Sequence, residues 1–395
     1  MPEKNVVVVG AGPVGLATAL GLARAGTDVT VLEAHSPGGG TAPRDMVCHW
    51  STLPGLGRLG LLDDMTDAGL TVHQWSYKVL RTGERIVFEL DVLADEFEHP
   101  HLLNLPQDTL TEILLAHLGR FPHARILWNT RVTGLVQDDH AVTVTAEGPD
   151  GERALRAGWV VGADGAHSVV RRAVGLGFAG LTWEDRLVVT DLRFDLSALG
   201  HAGASFQIDP EHGALIGELD RPDGLWRYTY AESRSLPEET VLDRMPAVFK
   251  AVLPEGGDPG LTRWSAYRVH ERAADRFRAG RVLLAGDAAH VTNPSGALGL
   301  AGGLLDSYVL AEALAAVIED GASDRVLDSY ADARLRVFLD VASPLSSDGM
   351  RLAFHRDDPA RLEAEVEHYR QITADRDQLR EYLLLSRDLE TRSLL

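Results

Sequence analysis

Val6-Val7-Val8-Val9-Gly10-Ala11-Gly12-Pro13-Val14-Gly15 is the stretch from which the reading of the whole chain follows. Four β-branched residues in a row, closed by glycine, have the texture of a strand covered on both faces. Leu16 to Ala25 then shows a helical apolar pattern, which Gly26 ends. Asp28 to Glu33 (DVTVLE) alternates as a second strand. Together they make a strand, helix, strand unit about thirty residues long, and such a unit is parallel and right-handed. Gly10, Gly12 and Gly15, with Pro13 among them, stand where the strand turns into the helix. Glycines there permit a tight turn and let backbone N–H groups approach a pyrophosphate, to which the helix dipole adds attraction. Glu33, followed by Ala34, ends the second strand, where an acidic side chain accepts hydrogen bonds from the adenosine ribose and repels a 2′-phosphate. The order of these parts predicts a dinucleotide site; the bland alternative is a tight turn in an unliganded α/β fold. Gly55, Gly57 and Gly60 (GLGRLG) have the same spacing but follow Leu53 and Pro54 instead of a strand, so this second match is rejected.

The bulk composition narrows the partners. A chain of 395 residues that is 45% hydrophobic can bury a sizeable core in two or so domains. A formal charge of −20 repels polyanions over most of the surface and disfavours nucleic acid. The single cysteine, Cys48, excludes an internal disulfide framework and a Cys-rich metal site, and His99 and His101 stand too isolated to make a metal site between them. The apolar run at the N-terminus stops at Gly10, and no other stretch nears the roughly 18 uninterrupted apolar residues of a membrane span. The expectation is a soluble, cytoplasmic protein without metal, membrane or nucleic-acid partners.

Further along, Arg125 to Trp128, Ala141 to Thr145, Trp159 to Gly162 and Arg281 to Gly286 read as strands, and Leu53 to Leu62 and Gln107 to Leu118 as helices. After Val174 the texture changes to longer alternating segments that continue through Tyr267, the mark of an antiparallel sheet. From Leu300 the chain reads as helical, with residues 356–395 rich in charge. The fold class is therefore α/β: a Rossmann-like parallel sheet, an antiparallel-sheet domain and C-terminal helices.

Three further segments, Gly162 to Ser168 (GADGAHS) with Arg171 and Arg172, Arg281 to His290 (RVLLAGDAAH) and Pro294 to Asp306 (PSGALGLAGGLLD), follow the glycine fingerprint in order. Over residues 4–340 this succession resembles the single-component FAD-dependent monooxygenases related to para-hydroxybenzoate hydroxylase. The resemblance implies that FAD is held by the fingerprint, by Asp164 in a motif that also serves the nicotinamide cofactor, and by Asp287 at the ribityl chain. It brings Pro294, Gly299 and Leu300 to the isoalloxazine, where a helix N-terminus stabilises negative charge on the reduced ring. Arg44 and Gln107 stand where the family has an arginine and a glutamine near the flavin. Ala297 and Ala301 depart from the family's usual glycine and asparagine. Two arginines in the first turn of a helix after Ser168 oppose its dipole, so an anion or acidic neighbour is expected beside them.

The resemblance further implies an FAD-binding domain from residues 1–70, 100–180 and 276–340, a substrate-binding sheet domain from 71–99 and 181–275, and a helical segment over 341–395. The activity it implies is hydroxylation, or epoxidation, of a small aromatic or other electron-rich substrate through a C4a-hydroperoxyflavin, with NADPH or NADH as transient reductant and O2 as co-substrate. The oxidising group is then flavin-borne and a dedicated catalytic side chain is not required. Within the antiparallel segment Trp226, Tyr228, Tyr230, His201, His212 and Tyr267 are candidates to stack on or hydrogen-bond an aromatic substrate, although each such residue is more often core or surface. Arg227 and Arg268 could pair with a substrate carboxylate, although such charges commonly lie on a solvent face, and His290 beside Asp287 suggests acid-base chemistry but is rather expected to pack or hydrogen-bond locally. A monomer or homodimer fits this size. The rival readings are a reductase or dehydrogenase of the same fold and a flavin-binding partner protein that never turns over.

Overall fold

A computed structural model describes residues 3–39, 47–254, 257–354 and 358–395. Val6–Val9 forms a fully buried strand and pairs in parallel with Val29–Leu32 on one side and Trp159–Gly162 on the other. Ala124–Leu127 and Val282–Leu284 extend this sheet in parallel, and Arg278–Ala279 closes it as an antiparallel edge. The sheet order is Arg278–Ala279, Val282–Leu284, Trp159–Gly162, Val6–Val9, Val29–Leu32, Ala124–Leu127. Because the five inner and far strands run the same way, the loops leaving their C-terminal ends gather at one edge, which is where α/β sheets bind ligands. Gly10, Glu33, Asp164 and Asp287 all lie just beyond those ends.

The helix Pro13–Arg24 packs so closely on the buried helix Leu298–Ile318 that a Cβ at Gly21 would lie 2.7 Å from that of Ala311. This second helix is long and apolar enough to cross a membrane, yet 83% of the relevant stretch is buried inside the protein. The GLGRLG match is a packing feature. Leu53–Arg58 and Leu62–Ala68 are separate helices, Gly60 turns between them at φ +74°, and a Cβ on Gly55 would overlap the ring of Tyr308. The single helix expected from Leu53 to Leu62 is thus broken, because Gly60 takes a left-handed conformation that ends the first helix.

An eight-stranded sheet runs in the order His290–Val291, Leu261–Ala274, Phe178–Arg193, Leu225–Ser233, Ala214–Asp220, Ala204–Ile208, Gln74–Val79, Arg85–Glu89. Alternation divides it into two faces. Val188, Trp226, Tyr228 and Tyr230 share one face and pack against Met245 and Phe249 of the helix Val241–Val252. Leu187 and Val269, on the other face, pack against Met350 of the helix Ser343–Phe354. A three-stranded meander, Arg131–Gln137, Val142–Gly148 and Gly151–Ala157, hangs beside the parallel sheet, where only the middle strand was expected.

The charged C-terminal stretch forms the helices Pro359–Ala374 and Arg376–Leu384. They fold back over the edge of the large sheet, where Tyr369 lies with its ring centroid 4.9 Å from that of Tyr77 and Tyr382 lies 5.8 Å from Phe88.

Candidate active site

The three fingerprint glycines do different work. Gly10 has φ +105°, and a Cβ there would lie 2.4 Å from the carbonyl oxygen of Ala163. A Cβ at Gly15 would lie 2.1 Å from the carbonyl oxygen of Gly10, so both positions are dictated by the fold. Gly12 is exposed, has an ordinary φ of −73°, and a Cβ there would meet nothing within 4 Å. Nothing among the described residues excludes a side chain at Gly12, so its lack of one leaves the backbone open to the approach of a ligand. This is the cradle a pyrophosphate needs, at the uncapped N-terminus of a helix whose first residue, Pro13, has no N–H to satisfy. Glu33 accepts from Ala11 N–H at 2.8 Å and from His35 N–H at 2.9 Å, which ties the fingerprint turn to the end of the second strand beside the half-buried Ala34.

Asp164 accepts from Ser168 Oγ–H at 2.5 Å and Val169 N–H at 2.6 Å, so its carboxylate caps the short helix Val169–Ala173. The acidic neighbour expected beside Arg171 and Arg172 is Asp164, whose charge acts on Arg171. The helix is only five residues long, and both arginines turn back to carbonyl oxygens: Arg171 donates to those of Ala288 and Ala166 at 2.7 Å, and Arg172 to that of His167 at 2.6 Å. Arg171 also lies 3.6 Å over the ring of Phe178. Its bond to Ala288 fastens the GADGAHS segment to the GDAAH turn, in which Asp287 is the one exposed residue between buried neighbours. His290 does hydrogen-bond locally, to Asp306 at 2.7 Å.

Between His290 and the buried helix the chain passes through Pro294, Gly296 and Ala297 and enters the helix at Leu298, with Gly299 and Leu300 in its first turn. Gly296 at φ +75° and Ala297 at φ +57° are successive left-handed residues, so the position where the family has glycine is one that stereochemistry favours glycine for. Asn293 Oδ1 accepts from Ser295 N–H at 2.9 Å, while Asn293 Nδ2 and Ser295 Oγ are buried without a partner among the described residues. Gln107 is the first residue of the helix Gln107–Leu118, as its sequence pattern predicts. Arg44 falls outside the described residues.

The large sheet presents one face to this assembly. Asp108, next to Gln107, lies 3.5 Å from Arg263, and Gly349 of the helix Ser343–Phe354 comes so close to Ser295 that a Cβ there would sit 3.0 Å from its Cβ. The face concerned carries Leu187, Val189, Asp191, Arg227, Thr229 and Tyr267, which are paired directly across strands. Trp226, Tyr228 and Tyr230 are therefore corrected as substrate contacts: alternation turns them to the opposite face, under the helix Val241–Val252. Burial pushes the Tyr228 hydroxyl above the ordinary tyrosine range, and the hydroxyl accepts from Gln207 Nε2 at 2.9 Å. His212 sits in the turn between two strands and spends its backbone carbonyl on Gln207, and His201 is buried beside Ser205. Arg227 is not on a solvent face. It is 4% exposed and makes a two-pronged pair with Asp191 at 2.8 and 3.1 Å, whereas Arg268 is exposed as expected. The one-residue offset between Tyr228 and Thr229 was visible in the sequence; which parity faces the site was not.

Comparison with known proteins identifies the family. Residues 3–343 match the model of the FAD binding domain family, and the chain belongs to it. It is a single-component FAD-dependent monooxygenase of the aromatic-hydroxylase type. It is 41% identical over 390 residues to 6-hydroxy-3-succinoylpyridine 3-monooxygenase from Pseudomonas putida, covering 98% of this chain and 99% of that one. It is 42% identical over 390 residues to para-nitrophenol 4-monooxygenase from a Pseudomonas species, covering 98% and 95%. The crystal structure of p-nitrophenol 4-monooxygenase from Pseudomonas putida superposes with a TM-score of 0.94 at 41% identity over 99% of both chains. Aklavinone-11 hydroxylase, solved with FAD and aklavinone, superposes with a TM-score of 0.79 at 30% identity over 92% of this chain and 71% of that one.

Proposed function

We propose that this enzyme uses NADPH or NADH and O2 to hydroxylate a small phenol or hydroxypyridine at the ring carbon para to the hydroxyl, and that the substituent carried at that carbon leaves. The observation behind this reading is a shared pattern of locants. Both full-length relatives at 41–42% identity are named for oxygenation at a substituted carbon, position 4 of para-nitrophenol and position 3 of 6-hydroxy-3-succinoylpyridine. In each, that carbon is para to the ring hydroxyl.

Bound FAD supplies the electrophilic oxygen once the nicotinamide has reduced it. The chain's own part is to hold the ring and exclude water. Tyr267 is only half-buried on the face turned to the flavin segments, beside Leu187 and Val269 that Met350 covers, and its ring suits a flat apolar substrate. The Arg227–Asp191 pair adds a fixed dipole on the same face without leaving a buried charge unpaired. The Gly10–Gly15 turn, Glu33, Asp164, Gln107, Asp287 and the Pro294–Leu300 segment are the FAD-holding parts of this proposal. The division into FAD-binding and substrate-binding parts follows the two large sheets, and a cytoplasmic enzyme is in keeping with its single buried cysteine.

The test is product analysis with 4-nitrophenol under labelled oxygen. Nitrite released one for one with O2 consumed, and label on the ring at the vacated carbon, is the expected result; because nitrite departs with the bonding electron pair the first product is the quinone, whose reduction to hydroquinone uses a second NAD(P)H. Hydroxylation beside the phenol oxygen with the nitro group retained refutes the positional assignment.

A further inference from the structure

We infer that Asp306 is a positioning residue for the bound FAD, acting through the turn that carries Asp287. Asp306 lies in the middle of the buried helix Leu298–Ile318 and is 0% exposed. A carboxylate in such a place is costly unless both oxygens are hydrogen-bonded. Here both are. Oδ2 accepts from Gly286 N–H at 2.9 Å and from His290 Nε2–H at 2.7 Å, and Oδ1 accepts from Arg334 Nε–H at 2.7 Å. Burial alone would raise the carboxyl, but His290 and Arg334 hold it below the usual aspartate range.

The partners decide what the carboxylate is for. Two of the three belong to the Gly286–His290 segment, one on either side of Asp287. Gly286 has φ +57°, and a Cβ there would lie 2.9 Å from Cγ2 of Val14 in the fingerprint helix. A Cβ at Gly303, one turn before Asp306, would lie 2.6 Å from the same atom and 3.2 Å from Gly286 Cα. The turn is thus gripped between the fingerprint helix and the buried helix, with no slack, and Asp306 is the polar contact that sets its height. The ring of His290 is held flat between Phe338 and Phe277, with centroids at 4.7 and 5.6 Å. Arg334 carries the connection outward, donating to the carbonyls of Gly302 at 3.2 Å and Leu389 at 2.7 Å and to Thr391 Oγ1 at 3.1 Å. The last residues of the chain are therefore linked through Arg334 and Asp306 to the turn at Asp287.

The inference rests on Asp287 contacting FAD, and Asp287→Ala alone tests that assignment. The decisive experiment is a double-mutant cycle read as the dissociation constant of FAD for the apoprotein, by quenching of flavin fluorescence. Asp306→Asn keeps shape but loses the charge that binds Arg334, and is expected to weaken FAD about ten- to a hundredfold, the range seen when a positioning partner is removed. In an Asp287→Ala background the same change should cost less than about threefold, because the residue being positioned is gone. Equal factors in the two backgrounds, or no loss from Asp306→Asn while Asp287→Ala does weaken FAD, overturn the inference. Should Asp306→Asn not fold, His290→Ala carries the same cycle. His290→Gln, whose side-chain N–H can replace Nε2–H, should restore most of the affinity, and failure of that rescue counts against a positioning role.

Discussion

Substitution of Gly12 by alanine separates two quantities that mutations in a cofactor site usually confound. The backbone at Gly12 already has φ −73° and ψ 173°, and an added Cβ meets no atom of the described residues within 4 Å. The folded apoprotein therefore incurs no strain. The unfolded chain loses conformational freedom, so apoprotein stability should rise by about 0.4–1 kcal/mol. FAD binding should move the other way. A methyl group against the pyrophosphate forces one or two N–H to phosphate bonds to lengthen, at about 1.5–3 kcal/mol for each charge-assisted bond lost. Each such loss weakens FAD by about ten- to a hundredfold. Gly10→Ala is the control. Its φ of +105° and the 2.4 Å approach to the Ala163 carbonyl predict an apoprotein destabilised by about 3 kcal/mol or more. Urea unfolding of the apoproteins and fluorescence titration with FAD measure the two effects separately. A Gly12→Ala apoprotein less stable than the parent, or one that binds FAD as tightly, would refute the assignment of Gly12 to the pyrophosphate.

Three other changes have definite signs. Ala297→Gly should raise the unfolding free energy by up to about 1.6 kcal/mol, since roughly 1–2 kcal/mol of left-handed strain is relieved against about 0.4–1 kcal/mol of added unfolded-state entropy; a lower urea midpoint contradicts this. Tyr228→Phe removes the acceptor of Gln207 Nε2 on the face away from the site, so it should cost about 1 kcal/mol of stability and leave kcat/KM within about twofold. Stability should also fall in mild acid. Burial holds His49 at about 3, and burial followed by Lys78 and Arg85 holds His201 at about 3. Above about pH 6.5 both rings are neutral folded or unfolded and contribute nothing, whereas below it the unfolded chain takes up protons first. At pH 5 each ring should therefore cost about 2 kcal/mol, and a series of urea midpoints from pH 7.5 to 5 should flatten in His201→Asn.

Local pattern carried much of this fold. The valine run and its glycines read correctly because their texture needs only near neighbours, and Gln107–Leu118 and Trp159–Gly162 begin and end where periodicity predicts. The Arg131–Ala157 meander was only partly legible, since its outer strands are half-exposed and polar and have no apolar alternation to reveal them. Tyr228 stayed among the candidates for the substrate face because a strand's sequence separates two faces without saying which one a distant helix will cover. Here Met245 and Phe249 cover it. Asp306 showed no signal for a similar reason: its partners lie 16 to 28 residues away, and a lone acid in an apolar run looks like a misplaced surface residue until Arg334 and Gly286 surround it.

The ribosome meets this site in pieces. Val6–Val9 and Val29–Leu32 emerge early, yet their sheet lacks its Trp159–Gly162 neighbour, and that strand in turn waits for Val282–Leu284. At about 5–20 residues per second, some 15 to 55 s separate Leu32 from Asp306. Over that interval the glycine turn has neither the Asp287 segment nor the buried helix to brace Val14, and parallel pairings across such distances in sequence close slowly. The glycine turn, the Asp287 segment and the buried helix that brace one another are therefore all present only once the chain through Asp306 has been made.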